Sequence, residues 1–180
     1  MFMKVFDYDN TKRECTACFT GHRKIAEGTR TVILDATVNA VVNLVKRGYT
    51  DFILGGALGY DTLAANALLV LRKQPNYDHI RIHLFLPCES QTKGWSAEDI
   101  AEYNRIKELA DTVTYISKDY YDGVMLDRNR AMVDASSALI SYCTNTVRSG
   151  AASTTRYAYK SGLEVIHVPA GSSSKKDFVK

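Results

Sequence analysis

The sequence predicts an α/β fold: a three-layer, Rossmann-like, mainly parallel sheet of about six or more strands with helices on both faces. Six short apolar segments alternate with helical segments between residues 14 and 168, which is typical of buried parallel strands joined by helices. Loops rich in glycine or hydroxyl residues follow several strands. Right-handed crossovers bring these loops to one edge of the sheet, where ligands of such folds bind.

The elements follow in order along the chain. We predict strands at 14–20, 51–54, 80–86, 112–116, 138–142 and 164–168. The first helix covers about 31–47, with Gly48 as its stop. Further helices cover 60–73, 123–136 and 150–160, and one more begins at the capping-box pair Ser96 and Asp99. The apolar face predicted for the first helix consists of Leu34, Val38, Val41, Val42 and Val45.

Length and composition are those of a single globular domain. The 180 residues predict one domain over 1–180, with a core at about 14–168 and peripheral termini. The formal net charge of +3 is well below the dense basic surface of a dedicated nucleic-acid binder. No apolar run approaches the roughly 20 residues of a membrane span, and the first residues lack a signal-peptide core. We expect a cytoplasmic protein with no membrane partner.

The sequence context of the four cysteines indicates free thiols rather than metal ligands. Cys15 and Cys18 form a C-x-x-C pair, but the pair enters a strand, whereas redox pairs usually begin a helix. A four-thiolate zinc site would need a second close pair, and Cys88 and Cys143 stand apart. We expect buried or half-buried thiols, no metal and no required cofactor, with metal or redox chemistry at the C-x-x-C pair as the alternative.

Three loops carry the features of a phosphate cradle. Glycines let backbone amides approach a ligand, and helix N-termini attract anions. Arginines at such loops add charge-assisted bonds to phosphate. The loops match neither the dinucleotide fingerprint nor a Walker A loop. The candidate ligand-binding residues are Gly21, His22 and Arg23, then Gly55, Gly56, Ala57, Gly59 and Asp61, and finally Ser149, Gly150, Ser153 and Thr154.

Three side chains are candidates for acid/base chemistry. Asp61 begins the second helix, where it either complements the helix dipole or binds a ribose hydroxyl or a water. His22 is either an acid/base group or a hydrogen-bonding partner within its loop. Glu89, in the loop after the third strand, is the third candidate.

Three more side chains are candidate ligand contacts. Trp95 either stacks on a base or caps the core. Asp127, Arg130 and Asp134 have the spacing of a solvated ion-pair face on one helix. Arg128 and Asn129 are left on another face of that helix, from which they can reach the ligand.

Four segments together resemble the YpsA-like family of the SLOG superfamily: 19–23, 55–61, 128–134 and 149–158. The superfamily includes the LOG phosphoribohydrolases and the DNA-processing protein DprA. The resemblance implies a Rossmann-like sheet that binds nucleotides or nucleotide-derived ligands, and the LOG relatives imply a homodimer. The LOG loop carries a glutamate used in catalysis, whereas Arg156 or a neighbour falls at that position here.

These observations leave three hypotheses for function. The first is binding or sensing of a nucleotide-type small molecule through the glycine-rich loops. The second is hydrolysis of a nucleotide N-glycosidic bond, with Asp61, Glu89 or His22 as the acid/base. The third is DprA-like binding of nucleic acid. Fold alone does not decide among them.

Overall fold

The structure, a computed structural model, describes residues 10–144 and 148–169. Residues 145–147, which belong to the predicted loop after the fifth strand, lie outside that description, as do both chain ends. A short 3-10 helix (Asn10–Cys15) leads into the sheet. The strands are β1 (Thr16–Gly21), β2 (Asp51–Leu54), β3 (Arg81–Leu86), β4 (Thr112–Tyr115), β5 (Ala138–Tyr142) and β6 (Glu164–His167). The helices are α1 (Arg30–Lys46), α2 (Tyr60–Leu71), α3 (Ala97–Leu109), α4 (Val124–Asp134) and α5 (Gly150–Lys160).

The six strands form one parallel sheet in the order β4-β3-β2-β1-β5-β6. From β1 to β4 each strand lies beside the one before it, so the right-handed connections put α1, α2 and α3 on one face. After β4 the chain returns to the far side of β1, and α4 and α5 cover the other face. The direction of winding therefore reverses between β1 and β5, which is where sheets of this kind bind ligands.

Alternation along the strands supplies a core on each face. Phe19, Phe52 and Leu54 point towards α1, α2 and α3 and are fully buried. Cys18 and Ile53 point to the opposite face, where α4 and α5 pack. Full burial of such an aliphatic or aromatic side chain contributes about 1.5–3 kcal/mol, so both faces of the central strands stabilise the sheet.

The predicted fold class is confirmed, and every predicted strand and helix is present within two or three residues of its expected bounds. The predicted start of α3 is also correct: the Ser96 hydroxyl oxygen accepts a hydrogen bond from the Asp99 amide at 3.1 Å. None of the helices in the described ranges has the length and apolar character needed to cross a membrane.

The apolar face predicted for α1 is only partly the face that packs on the sheet. Of the five predicted residues only Val41 is fully buried, and the row that faces the sheet is Ile33, Thr37, Ala40, Val41 and Leu44. The polar Thr37 occupies a core position because its hydroxyl bonds to the Ile33 carbonyl at 2.7 Å and to the Tyr60 hydroxyl at 3.0 Å. The other predicted residues form a second, half-buried apolar row, of which Leu34 and Val38 line a groove beside α2.

Candidate functional site: a polar cleft at the ends of β1 and β5

A cleft of about 250 Å³ opens at the carboxyl end of the sheet, where the winding reverses. It is bounded by the end of β1 and its loop, the start of α2, the inner face of α4 and the first turn of α5. Its lining residues are Phe19, Thr20, Gly21, His22, Arg23, Ala57, Asp61, Met125, Arg128, Asn129, Met132, Ser149, Gly150 and Ala151. Nine predicted site residues are therefore brought together in one place.

His22 is held by the loop that follows β5. Its Nε2 atom accepts a hydrogen bond from the Thr144 amide at 2.9 Å, and the Thr144 hydroxyl lies at the same distance. Its ring meets Tyr142 edge-on at 5.7 Å. These contacts hold the imidazole within its loop, which is the hydrogen-bonding alternative given for His22.

Two glycines let the β1 and β2 loops approach each other closely. A Cβ on Gly59 would overlap the backbone carbonyl of Arg23, and Gly59 has a φ of +79°. A Cβ on Gly21 would overlap the ring of Tyr60. Side chains of any size at these positions would separate the loops, so both glycines are required for the close packing of these segments.

Asp61 combines burial with a set of compensating donors. Its Oδ2 atom accepts hydrogen bonds from the amides of Gly55 at 3.0 Å and Ala57 at 3.2 Å. Burial raises the pKa of the Asp61 carboxyl, and the charge of Arg128, the two amides and Arg23 oppose that rise. The carboxylate therefore fixes the β2 loop at the same time as it lines the cleft.

Arg128 is a buried guanidinium on the cleft wall. It is only 5% exposed, and burial lowers its pKa while the nearby Asp61 carboxylate raises it. Its Nη1 atom donates to the Gly55 carbonyl, and its Nε atom donates to Asn129 Oδ1 at 2.8 Å. A Cβ on Gly55 would overlap this guanidinium, so the glycine admits the arginine that bridges α4 and the β2 loop.

Sequence reasoning missed Gln91, which braces the same loop from the other side. Its Nε2 atom donates to the carbonyls of Gly55 at 3.2 Å and Gly56 at 2.9 Å. The side chain is buried, and its Oε1 atom has no hydrogen-bond partner in the described part of the chain. The only sequence signal for this role was its position five residues after the end of β3, at the same edge of the sheet.

The first turn of α5 presents backbone amides to the cleft. Ser149 is the N-cap, and its hydroxyl oxygen accepts a hydrogen bond from the Ala152 amide at 3.1 Å. The amides of Gly150 and Ala151 precede the first helical hydrogen bond and so stay available to a ligand. Thr154 does not line the cleft, because it is buried and its hydroxyl bonds to the Gly150 carbonyl at 2.8 Å. Ser153 also lies outside the lining.

The inner face of α4 is a helical stripe. Met125, Arg128, Asn129 and Met132 follow the i, i+3, i+4, i+7 spacing of one helix face, and all four line the cleft. Arg130 and Asp127 lie on the outer face and form an ion pair at 3.8 Å. Met125 and Met132 were not predicted as site residues, although this spacing could have identified both.

Besides Ser153 and Thr154, five predicted residues lie outside the cleft lining. The loop after β2 contains Gly55, Gly56 and Gly59, and none of the three lines the cleft. Trp95 packs beside the core, edge-on against Tyr103 with 5.6 Å between the ring centroids. This position corresponds to the core-capping alternative for Trp95. Glu89 is exposed and also lies outside the cleft lining.

The cysteines have the expected environments. Cys18 is fully buried, and burial raises the pKa of its thiol to about 12. Cys15 is half-buried, and its thiol donates to the Lys12 carbonyl at 3.2 Å. Across residues 10–144 and 148–169, no group of three or more His, Cys, Asp or Glu side chains could hold a metal ion.

Comparison with known families identifies the chain. The model described as the YspA SLOG family (YpsA) matches residues 19–162, which include the whole cleft. The chain belongs to this SLOG family. The match confirms the resemblance that the four sequence segments indicated.

Two bacterial proteins are sequence relatives of this SLOG protein. The uncharacterized SPbeta prophage-derived protein YoqJ of Bacillus subtilis is 28% identical over 132 residues, covering 67% of this chain and 75% of YoqJ. The UPF0398 protein BH1768 of Halalkalibacterium halodurans is 29% identical over 122 residues, covering 67% of this chain and 61% of that protein.

Two solved structures of DNA processing protein A share the fold. The Helicobacter pylori protein, whose structure was described for its single-stranded DNA binding mode, superimposes with a TM-score of 0.60 at 21% identity. That superposition covers 91% of this chain and 69% of the other. The Streptococcus pneumoniae protein superimposes with a TM-score of 0.63 at 15% identity, covering 89% of this chain and 52% of the other.

Proposed function

We propose that this SLOG protein binds single-stranded nucleic acid, with one backbone phosphate seated in the cleft between β1 and α5. The observation that carries the proposal is that Gly150 and Ala151, at the N-terminus of α5, line the same cleft as Arg23. A helix N-terminus and an arginine together form an anion site. A phosphate oxygen is the ligand atom that such a site prefers.

The size of the cleft favours part of a polymer over a whole small ligand. Sites for small molecules usually measure about 300–1,000 Å³ and enclose most of the ligand. At about 250 Å³, this cleft accommodates a phosphate and part of a sugar. The rest of the ligand then lies outside the cleft, as the neighbouring nucleotides of a nucleic-acid strand would.

Exposed cations at the rim supply further phosphate contacts. Arg23 and Lys24 follow β1, and Arg148 directly precedes the α5 cap. Within the described ranges none of the three forms an ion pair. Cations that form no close ion pair can neutralise successive phosphates without first breaking a salt bridge. The single-stranded DNA binding of the Helicobacter pylori protein, which shares the fold, supports the same ligand class.

We favour binding over hydrolysis because the acid/base candidates are otherwise engaged. Asp61 Oδ2 accepts two loop amides, and His22 Nε2 accepts the Thr144 amide. Glu89 does not line the cleft. An N-glycosidase needs a group free to exchange a proton with the leaving base or the attacking water.

The test is a titration of a fluorescently labelled oligothymidylate by anisotropy at several salt concentrations. We expect affinity to fall with salt, with a logarithmic slope of about 0.7 for each phosphate neutralised. Arg23→Glu is expected to weaken binding at least about tenfold and to lower the slope by about one.

Arg81→Glu is the matched control, because Arg81 is an exposed arginine at the opposite end of the sheet, where β3 begins. It should bind like the unaltered protein. Absence of oligonucleotide binding, or equal losses in the two variants, would contradict the proposed site.

A free nucleotide is the second candidate ligand. Met125 and Met132 add apolar surface to one wall, which suits a sugar or a base better than a bare phosphate. A rise in the melting temperature with adenosine monophosphate or ADP-ribose, together with no oligonucleotide binding, would favour this candidate. Release of free base from either compound would support hydrolysis instead.

A further inference from the structure

Helices α1 and α2 carry more apolar surface than the sheet can bury. α1 has its core-facing row and, beside it, a second row with Leu34 and Val38. In α2, Tyr60–Leu71, the only polar residues directed outward are Thr62 and Asn66. Helices that are apolar on nearly all sides are normally covered on nearly all sides.

The uncovered surface forms a groove between the two helices. The groove measures about 620 Å³. Leu34, Val38, Ala67, Val70 and Leu71 supply its apolar lining. Val70 is 62% exposed and projects beside the groove, and nearby Val32 is 47% exposed. An exposed apolar area of this kind marks a site of association.

We propose that a second copy of this chain covers the groove, in a two-fold symmetric dimer formed by α1 and α2 of each protomer. The surface holds both a projecting residue, Val70, and a groove beside it, so two copies can each insert Val70 into the other. A two-fold interface requires such self-complementarity, because the same patch serves both partners.

The charges around the groove favour one relative orientation of the two protomers. Asp35 lines the groove in the second turn of α1. Exposed lysines stand at the far end, with Lys46 in the last turn of α1 and Lys73 just beyond α2. Because α1 and α2 run in the same direction, a two-fold axis across the helices brings the Asp35 end of one copy to the lysine end of the other. An axis along the helices would bring like charges together.

The test is the molar mass of the full chain by light scattering or sedimentation across a concentration series. We expect a mass approaching twice the chain mass of 20.1 kDa. Val70→Glu should weaken dimerisation at least about tenfold, since it places a carboxylate in an apolar contact. Leu126→Glu, at an exposed leucine of α4 on the other face of the sheet, should leave the dimer intact.

A charge reversal distinguishes this pairing from other dimers. Asp35→Lys should weaken the dimer, and adding Lys46→Glu and Lys73→Glu should restore it. A monomer at every concentration, or a dimer insensitive to Val70→Glu, would overturn the proposal. These residues lie outside the cleft lining, so the mass measurement is independent of oligonucleotide binding.

Discussion

At the scale of single residues, the close contact between the β1 and β2 loops rests on Gly59. Its positive φ and the overlap that a Cβ would make with the Arg23 carbonyl are separate constraints. Gly94 has a similar φ of +82° but nothing within 4 Å of a Cβ. Comparing substitutions at Gly94 and Gly59 therefore distinguishes the cost of the backbone conformation from the cost of disrupting the contact between the loops.

We predict that Gly94→Ala costs about 1–2 kcal/mol, the usual price of a left-handed alanine. Gly59→Ala should cost about 3 kcal/mol or more, because the loops must also move apart. Urea denaturation of both variants measures the difference. Equal losses would show that the Arg23 contact contributes nothing.

A buried polar chain lies at the other end of the sheet, far from the cleft. His83 Nε2 and Asp51 Oδ1 are 2.7 Å apart, and His83 Nδ1 lies 2.8 Å from the Thr112 hydroxyl. Burial alone would raise the pKa of Asp51, but hydrogen bonds from His83 and Thr50 outweigh it, and the pKa is lowered. The carboxylate is therefore more favourable in the folded protein than in the unfolded chain.

The sign of the pH dependence follows from that shift. The stabilisation is fully present above the unfolded-state pKa of about 4 and is lost as the pH falls through the lowered folded-state pKa. We expect Asp51→Asn to cost on the order of 1–2 kcal/mol at neutral pH. That cost should shrink towards pH 3 in urea denaturation, whereas Asp122→Asn, at an exposed carboxylate, should show no such trend.

Residue roles were the part of the site that sequence could predict least. Glycine-rich loops indicated where the cleft is, but Arg128 is buried and Gln91 is a brace because of contacts between distant segments. Thr37 and Asp51 are core residues for the same reason: a polar side chain can be buried once tertiary structure supplies its partner. Sequence periodicity carries no information about those partners.

At the scale of elements, the N-caps of α3 and α5 are a matched pair. Ser96 and Ser149 each accept a hydrogen bond at 3.1 Å from the amide three residues later. The two caps differ in their position relative to the cleft: Ser149 lines it and Ser96 does not. The Ser96 cap was predicted from sequence, since a capping box is set by residues within one turn, whereas Ser149 was predicted only as a ligand-binding residue.

We predict that Ser96→Ala and Ser149→Ala each cost about 1 kcal/mol of stability. Only Ser149→Ala should also weaken oligonucleotide binding, because it loosens the turn that presents the Gly150 and Ala151 amides. Thermal melting and anisotropy titration of both variants provide the comparison. A binding loss shared by Ser96→Ala would mean that stability, and not the α5 turn, controls affinity.

At the scale of the whole molecule, the sheet could be predicted and its strand order could not. Alternating apolar strands and helices specify a parallel sheet covered on both faces. No sequence feature of the segments after β4 predicts that β5 lies beside β1 rather than extending the sheet beyond β4. This strand order creates the cleft. The loops that contribute to the cleft could be predicted from sequence, but the individual residues that line it could be identified only in the folded structure.

The pairing of β1 with β5 also has a consequence for biosynthesis. Ala17 pairs with Ala138, so one side of β1 stays unpaired until the ribosome has released most of the chain. Closing so long a loop costs entropy before any strand contact repays it, and an open strand edge invites pairing with other chains. The proposed phosphate site spans the β1–β5 pairing, so under this proposal a nascent chain acquires the site only after β5 and the first turn of α5 have been synthesised.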